Sequence, residues 1–172
     1  SCFPKDVKAL IAIAKKSGYN FGLLKEVDRI NIEARVNIVN KAKRLLGNNL
    51  KGKKIGILGL SFKPDTDDMR YAPSITIINK LQNMGAKIKA YDPIAIANAK
   101  KLLKNVEFVQ NAYSAAKDSD LLILITEWNE FRQLDLNKIK SMMKNPILLD
   151  GRNIYDPSEI REMGFTYVGV GI

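Results

Sequence analysis

The run Leu121-Leu122-Ile123-Leu124-Ile125-Thr126 gives the clearest indication of the architecture of this chain. It is apolar on both faces, which is typical of a central strand in a parallel sheet that helices cover on both sides. Strand-like and helix-like segments alternate around it. Strands are predicted at 54–61, 87–91, 106–109, 121–126, 147–150 and 166–170, with helices at 73–84, 94–103, 112–117, 136–143 and 157–163. The right-handed crossover rule then predicts an α/β fold with a doubly wound, mostly parallel, six-stranded, Rossmann-like sheet.

Two helices are predicted before the sheet. Apolar residues recur at helical spacing over 6–17, and a longer helix is predicted over 22–46, ending at Gly47-Asn48-Asn49. At 1.5 Å per residue the longer helix would measure about 37 Å. A helix of that length joins two domains or packs against a symmetry mate. Its apolar stripe consists of Val27, Ile30, Ala34, Ile38, Ala42 and Leu45.

Composition excludes several classes of protein. The 172 residues carry a net charge of +10, contain no histidine and include one cysteine. No apolar run approaches the roughly 20 residues that span a bilayer, so a membrane-spanning helix is not predicted. One cysteine cannot form an internal disulfide, so a disulfide-stabilised secreted scaffold is not predicted either. The charge favours anionic ligands, but the lysines are dispersed, so a nucleotide is favoured over nucleic acid. Without histidine or a metal-ligand spacing, no metal is expected, and catalysis has to use Cys, Lys, Asp, Glu or water.

Charged and aromatic residues follow the predicted strands at their carboxyl ends. Phe62 and Lys63 follow the first strand, Arg70 comes later in the same loop, and Arg152 follows the fifth strand. Ligands of open α/β sheets bind at this edge. Three cations beside a ring that can stack on a base therefore predict an anionic nucleotide site. For Lys63, a place in a solvated turn is an equally compatible alternative.

Other residues near the strand ends favour structural roles. The Asp92-Pro93 step is a common turn device, and Trp128 and Phe131 are expected to pack in the core. The first strand contains Gly56-Ile57-Leu58-Gly59 but lacks the full G-x-G-x-x-G pattern. A standard dinucleotide-binding turn is therefore not predicted there.

The segment Ser1-Cys2-Phe3-Pro4-Lys5-Asp6 contains the single cysteine, four residues ahead of an aspartate and near a lysine. A neighbouring cation lowers the pKa of a thiol and so favours the nucleophilic thiolate. Considered alone, Cys2 is more readily interpreted as a small buried apolar residue than as a nucleophile. The absence of an initiating methionine predicts that the chain is a piece of a longer protein.

Four separated motifs resemble the UDP-glucose dehydrogenases, within the UDP-glucose/GDP-mannose dehydrogenase superfamily. They are SCFPKD at 1–6, GLSFKP at 59–64 continuing through TDDMR at 66–70, TEW at 126–128 and DGRN at 150–153. The similarity runs along the whole chain in order. It implies the C-terminal half of such an enzyme, with 1–48 as the end of the helical dimerisation region and 49–172 as the UDP-sugar-binding domain. The family's N-terminal NAD-binding domain would be absent from this chain.

The resemblance also implies a reaction and residue roles. The family oxidises UDP-glucose to UDP-glucuronate with two NAD+ and without a metal, through a thiohemiacetal and then a thioester on a cysteine. Carried over, Cys2 is the nucleophile and Asp6 organises the hydrolytic water, while Phe62, Lys63 and Arg152 bind the UDP-sugar. Cys2, Lys5 and Arg70 would lie near the NAD.

The resemblance further implies a cytoplasmic homodimer formed through the long helix, and a fragment that is inactive alone. The alternatives are a UDP-N-acetylmannosamine or GDP-mannose dehydrogenase, or a nucleotide-binding module without catalysis. The motifs at 1–6 and 66–70 favour the UDP-glucose branch. A basic nucleic-acid binder is a third, less favoured reading.

Overall fold

The computed structural model describes residues 2–172, with side chains from residue 4 onward. Two helices, α1 (Cys2–Lys16) and α2 (Gly22–Leu45), come first. The first helix begins four residues earlier than the prediction of 6–17. Its first turn contains Pro4, and proline is tolerated there because the first N–H groups of a helix have no intrahelical partner. Among the described residues, no helix has the length and apolar character needed to cross a membrane.

Six strands form one sheet in which every pairing is parallel, in the order β3-β2-β1-β4-β5-β6. Strands β2 and β3 therefore add to one side of β1, and β4, β5 and β6 add to its other side, as in a doubly wound fold. The predicted fold class is confirmed. The strands are β1 (Lys54–Leu58), β2 (Lys87–Tyr91), β3 (Val106–Phe108), β4 (Leu121–Leu124), β5 (Ile147–Asp150) and β6 (Thr166–Val168).

Helices cover both faces of the sheet. The later helices are α3 (Pro73–Asn83), α4 (Ile96–Leu102), α5 (Ala112–Ala116), α6 (Asn129–Arg132), α7 (Leu136–Met142) and α8 (Pro157–Glu162). Side chains of α2, α3 and α4 pack on one face, against Ile55 and Ile57 of β1. Side chains of α5 to α8 pack on the other face, against Leu58 and Leu122. Because side chains alternate along a strand, β1 and β4 contribute to both cores, which explains their continuous apolar character.

The two central strands end earlier than predicted. β1 stops at Leu58 because Gly59 adopts φ +86°, which leaves the extended conformation, and β4 stops at Leu124 although Ile125 is apolar. A Cβ at Gly59 would lie 2.5 Å from Cβ of Thr126, so this position admits only glycine. Strands β1 and β4 thus end next to each other, and the loops that follow them form the carboxyl edge of the sheet.

The helical region packs on the sheet through only half of its predicted apolar stripe. Ile38 and Ala42, in the second half of α2, are buried in the core with α3. Leu23, Val27 and Ile30, in the first half, are exposed. The long helix therefore extends beyond the sheet domain and carries an uncovered apolar face there.

Candidate functional site

A cleft of about 830 Å³ lies between α2 and the carboxyl ends of the central strands. Phe62 and Lys63 reach it from the loop after β1, Leu124 and Ile125 from the end of β4, and Arg152 from the turn after β5. The chain reverses its winding between β1 and β4, so the cleft occupies the position at which open α/β sheets bind ligands. The structure thus brings three of the predicted site residues, Phe62, Lys63 and Arg152, into one cavity.

The loop that carries Phe62 and Lys63 is anchored by the buried carboxylate of Asp92, directly after β2. Its Oδ2 accepts hydrogen bonds from the backbone N–H of Leu60 at 2.7 Å, from the N–H and hydroxyl of Ser61 at 3.1 and 3.2 Å, and from Nε1 of Trp128 at 3.1 Å. Its Oδ1 accepts from the N–H groups of Ile94 and Ala95. A buried carboxylate is stable only with such a full set of donors. Asp92 is therefore more than a turn former, since it positions the Phe62-Lys63 loop.

Trp128 and Phe131 have the structural roles that were predicted. Trp128 is 6% exposed and Phe131 is fully buried, and both belong to the core beneath α5 to α8. Neither lines the cleft. The indole of Trp128 contributes to the site only indirectly, through its hydrogen bond to Asp92.

A second buried carboxylate, Asp150 at the end of β5, shapes the turn that presents Arg152. It accepts hydrogen bonds from the N–H of Arg152 at 2.9 Å, the N–H of Ile154 at 2.8 Å and the hydroxyl of Tyr167 at 3.0 Å. Gly151 lies so close to β4 that an added Cβ would be 2.7 Å from the carbonyl oxygen of Leu124. Asp150 and Gly151 together fix the backbone position from which the side chain of Arg152 extends.

The side chain of Arg152 is held by Glu127, which follows β4. Nη2 of Arg152 donates a hydrogen bond of 2.5 Å to Oε1 of Glu127, while Nε lies 2.5 Å from Oε2 as an ion pair without hydrogen-bond geometry. Burial raises the pKa of Glu127, but the hydrogen bond from Arg152, a backbone hydrogen bond and the charges of Arg152 and Arg132 together outweigh burial and hold the pKa below its ordinary value. The carboxylate is therefore charged at neutral pH and fixes the guanidinium beside the cleft.

Sequence reasoning missed the contribution of α2 to this site. The helix supplies three cations to the cleft, Arg35, Lys41 and Arg44, and with Lys63 and Arg152 they make five. Among the described residues that line the cleft there is no carboxylate. Nζ of Lys41 also donates a hydrogen bond to the carbonyl of Gly169, which ties the helix to the C-terminal segment. Lys41 and Arg44 are three residues apart, but Arg35 precedes Lys41 by six, so the three cations show no single helical repeat and look the same as a solvated helix face in the sequence.

Three further predicted residues, Lys5, Asp6 and Arg70, are described by the structure and do not line this cleft. The side chains of Lys5 and Asp6 are exposed, with Nζ of Lys5 3.6 Å from Oδ1 of Asp6. Arg70 is exposed on the loop after β1 and donates from Nε and Nη2 to the carboxylate of Asp68, each at 3.0 Å. Cys2 begins α1, but its side chain lies outside the described residues. Pro4, in the same helical turn, lines the cleft, so the amino end of α1 borders it.

Gly56 in β1 and Gly59 directly after it do not form a phosphate cradle. A Cβ at Gly56 would lie 2.5 Å from the carbonyl oxygen of Ala115, so α5 occupies the space beside this strand. Thr126 occupies the space beside Gly59. The described residues therefore offer a dinucleotide such as NAD no turn of the usual kind. Nor do they contain any cluster of three or more His, Cys, Asp or Glu side chains that could hold a metal ion.

A second cleft, of about 740 Å³, lies near the amino end of β2 and is lined by α3, α4 and β3. Its lining combines side-chain amides with Lys87, Lys104 and Glu107. The charges are mixed, and the position is the edge of the sheet opposite to the one at which α/β proteins bind ligands. The first cleft is therefore the better candidate site.

The strand order and the position of the cleft define a Rossmann-like α/β protein with a cation-lined cleft at the switch point of its sheet. The chain belongs to the UDP-glucose/GDP-mannose dehydrogenase family, because the model for the family's UDP binding domain matches residues 56–157. The match runs from within β1 to the start of α8 and contains Phe62, Lys63 and Arg152.

Curated relatives agree with this assignment. The chain is 44% identical over 172 residues to the UDP-glucose 6-dehydrogenase TuaD of Bacillus subtilis, covering 99% of this chain and 37% of that protein. It is 42% identical over 171 residues to the UDP-glucose 6-dehydrogenase of Rhizobium meliloti, covering 99% of this chain and 39% of that protein. The chain thus spans less than half of the length of these relatives.

Solved structures show the same fold. A UDP-glucose dehydrogenase from the archaeon Pyrobaculum islandicum superimposes with a TM-score of 0.85 at 30% identity, over 99% of this chain and 37% of that one. A UDP-D-ManNAc dehydrogenase from Pyrococcus horikoshii gives a TM-score of 0.78 at 26% identity, over 99% of this chain and 38% of that one. These likenesses include the two helices that precede the sheet.

Proposed function

We propose that this chain is the nucleotide-sugar-binding part of an NAD-dependent UDP-glucose 6-dehydrogenase. The overall reaction is UDP-glucose + 2 NAD+ + H2O to UDP-glucuronate + 2 NADH. The observation that carries the proposal is the cleft at the switch point, with its five cations and no carboxylate among the described lining residues. A diphosphate is the anion that such a charge distribution suits, because guanidinium and ammonium groups form charge-assisted hydrogen bonds with phosphate oxygens.

Phe62, Lys63 and Arg152 bind the UDP-sugar in this proposal. Phe62 is half-buried at the cleft and offers an apolar ring, while Lys63 is exposed at the same loop. Arg152 is fixed by Glu127, so little side-chain freedom is lost when a ligand binds. The buried carboxylates of Asp92 and Asp150 hold both loops in place before the substrate arrives.

Cys2 is the proposed nucleophile. After the first oxidation its thiolate adds to the aldehyde carbon, and the resulting thiohemiacetal loses a hydride to become a thioester. Water then attacks the thioester carbon, the C–S bond breaks, and the carboxylate product and the free thiolate are released. Asp6, one turn further along α1, organises the water and takes up one of its two protons, while the second proton passes to the solvent. Pro4 at the cleft supports this placement, since it shares the first helical turn with Cys2.

NAD+, when bound, supplies the hydride acceptor for both oxidations. The described residues give it no phosphate-binding turn, so we propose that a preceding domain, outside this chain, holds most of the cofactor. Arg70 and Lys5 are exposed cations that fit a supporting contact with its phosphates. In this division, residues 1–48 are the end of a central helical region and residues 49–172 are the UDP-sugar-binding domain.

We also propose that the protein is a homodimer formed through α2. The first half of this helix carries an exposed apolar stripe at Leu23, Val27 and Ile30, with spacings of four and three residues. A water-exposed stripe of that size on a regular helix is typical of a face that another helix covers. We place the protein in the cytoplasm, in keeping with its nucleotide substrates.

A related substrate is the second candidate. The similarity to the Pyrococcus horikoshii UDP-D-ManNAc dehydrogenase extends over 99% of the chain, at 26% identity. The curated relatives at 42–44% identity are UDP-glucose 6-dehydrogenases. Their higher sequence identity to this chain supports UDP-glucose as the substrate. A comparison of kcat/KM for UDP-glucose, UDP-N-acetylmannosamine and GDP-mannose separates the candidates.

The test of the proposed mechanism is the Cys2→Ala variant of the complete enzyme. UDP-glucuronate formation should be abolished, while UDP binding should match the wild type. The 172-residue chain assayed alone with UDP-glucose and NAD+ should show no turnover. Full activity of Cys2→Ala would refute the covalent mechanism, and robust turnover by the chain alone would refute the need for a further cofactor-binding domain.

A further inference from the structure

We propose that Arg35 of α2 is a further substrate-binding residue, which contacts the diphosphate of the nucleotide sugar from the helical wall of the cleft. This inference rests on the proposed function, since it names a contact within the same site. It assigns to the long helix a part in ligand binding in addition to its structural part.

The position of Arg35 follows from the packing of α2 on the sheet. Ile38 of α2 is buried, and its Cδ1 lies 3.5 Å from the point where a Cβ of Gly151 would stand. Gly151 immediately precedes Arg152. Arg35 lies three residues before Ile38, which places it about one helical turn away on the same face. Both arginines line the same cleft, one from the helix and one from the sheet edge.

The charge of Arg35 is not balanced by any described group. Among the residues that the structure describes, no carboxylate lies within ion-pair distance of its guanidinium. The other arginines with known partners differ in this respect, since Arg29 pairs with Glu26 and Glu33, and Arg152 pairs with Glu127. Arg35 is also half-buried, so it has given up part of its hydration without gaining a counterion.

The two other cations of α2 that line the cleft are less suited than Arg35 to bind a phosphate. Lys41 donates a hydrogen bond to the carbonyl of Gly169 and is thereby tied to the C-terminal segment. Arg44 is exposed in the last turn of the helix and remains solvated. A guanidinium presents two parallel donors to a phosphate, so Arg35 is suited to bind two oxygens of a diphosphate at once.

The chemistry of the ligand sets the expected result. Removing one charged hydrogen-bonding partner from a phosphate contact weakens binding by about 10- to 100-fold. Arg35→Gln should weaken UDP by that factor while changing the much weaker binding of uridine by less than about 2-fold, because uridine has no phosphate. Arg35→Lys should restore part of the loss, since it keeps the charge but not the two-donor geometry.

The experiment is calorimetric titration of UDP and of uridine into the wild type, Arg35→Gln, Arg35→Lys, Lys63→Ala and Lys43→Gln. Lys43→Gln is the matched control, because it removes one positive charge from the same helix at an exposed position that does not line the cleft. Distant surface charges are screened by salt, so UDP binding to this control should stay within about 2-fold of the wild type. Circular dichroism and thermal unfolding of every variant establish that the fold is kept.

The outcomes distinguish a failure of the contact assigned to Arg35 from a failure of the proposed nucleotide-binding function. If Lys63→Ala loses UDP binding and Arg35→Gln does not, the contact assigned to Arg35 is wrong and the proposed site stands. If the wild type shows no binding of UDP, or if Lys63→Ala binds it normally, the proposed function itself is contradicted. Equal losses for UDP and uridine in Arg35→Gln would also refute the diphosphate contact. Should Arg35→Gln fail to fold, Arg35→Lys provides the same test, with UDP affinity unchanged as the result that overturns it.

Discussion

Glu127 and Arg152 form a two-point ion pair at the carboxyl edge of the sheet, with Nη2 and Nε of the arginine each 2.5 Å from one carboxylate oxygen. They come from the ends of two adjacent strands, β4 and β5. The pair therefore joins two segments of chain that meet only after folding, and it fixes the orientation of a cation that lines the cleft.

The first prediction concerns the pH dependence of this pair. The folded-state pKa of Glu127 lies below its ordinary value of 4.5, since burial, which raises it, is outweighed by the hydrogen bond from Arg152 together with a backbone hydrogen bond and nearby positive charge. A depressed carboxyl pKa contributes stability that is complete above the unfolded-state pKa and is lost as the pH falls through the folded-state pKa. The difference in free energy of unfolding between the wild type and Glu127→Gln should thus be constant near neutral pH and shrink below about pH 4.5. Urea denaturation across this range measures it, and a difference independent of pH would contradict the assignment.

The second prediction concerns Asp92. In Asp92→Asn an amide NH2 replaces one carboxylate oxygen and faces backbone N–H donors, so buried donors lose their acceptor. We expect a loss of about 2–4 kcal/mol in the free energy of unfolding, together with weaker UDP binding as the Phe62-Lys63 loop loosens. Urea denaturation and UDP titration test both parts.

Asp118→Asn is the matched control for Asp92→Asn. Asp118 is exposed, has φ +58° and makes no side-chain hydrogen bond to a described residue. Asparagine tolerates that conformation, so stability should change by less than about 0.5 kcal/mol. Equal effects of the two substitutions would show that Asp92 has no special structural role.

The third prediction concerns Gly151. A methyl group there would lie 2.7 Å from the carbonyl oxygen of Leu124, so Gly151→Ala must push the Arg152 turn away from β4. We expect a loss of about 1–3 kcal/mol in stability and weaker UDP binding. Gly22→Ala is the control, since nothing lies within 4 Å of its added Cβ at the start of α2. Unchanged UDP affinity in Gly151→Ala would show that the turn does not set the position of Arg152.

The fourth prediction concerns the exposed face of α2. Ile30 is 53% exposed and lies in the half of the helix that does not pack on the sheet. Ile30→Glu should convert a dimer to a monomer in analytical ultracentrifugation, because a charge within an apolar helix interface is costly to bury. Leu102→Glu, at a 52% exposed position on α4, should leave the oligomeric state unchanged. A dimer that persists in Ile30→Glu would place the interface elsewhere.

Much of the fold could be predicted from the sequence, because its strands are short apolar runs and its long helices have regular periodicity. The ends of the strands could not, since they depend on tertiary geometry. β1 ends at Gly59 because the backbone turns beside Thr126, and β4 ends while the sequence is still apolar at Ile125. The four-residue helix α6 was missed because it is too short to show a periodicity.

The candidate site was predictable only where it follows from topology. Residues directly after parallel strands meet at one edge, and this rule brought Phe62, Lys63 and Arg152 together. The rule says nothing about α2, so Arg35 could not be distinguished from a solvated arginine. Asp92 was underestimated for a related reason, because its hydrogen bonds to Leu60 and Trp128 join segments that are distant in the sequence.

The central claim is that the cleft beneath α2 binds the nucleotide, and titration of UDP into paired charge variants tests it most directly. Lys63→Ala and Arg152→Ala remove cations from this cleft, whereas Lys87→Ala and Lys104→Ala remove cations from the second cleft at the other edge of the sheet. We predict saturable binding to the wild type, a loss of about 10- to 100-fold in each of the first two variants, and wild-type affinity in the other two. Normal affinity in Lys63→Ala and Arg152→Ala, with loss in Lys87→Ala or Lys104→Ala, would contradict the account.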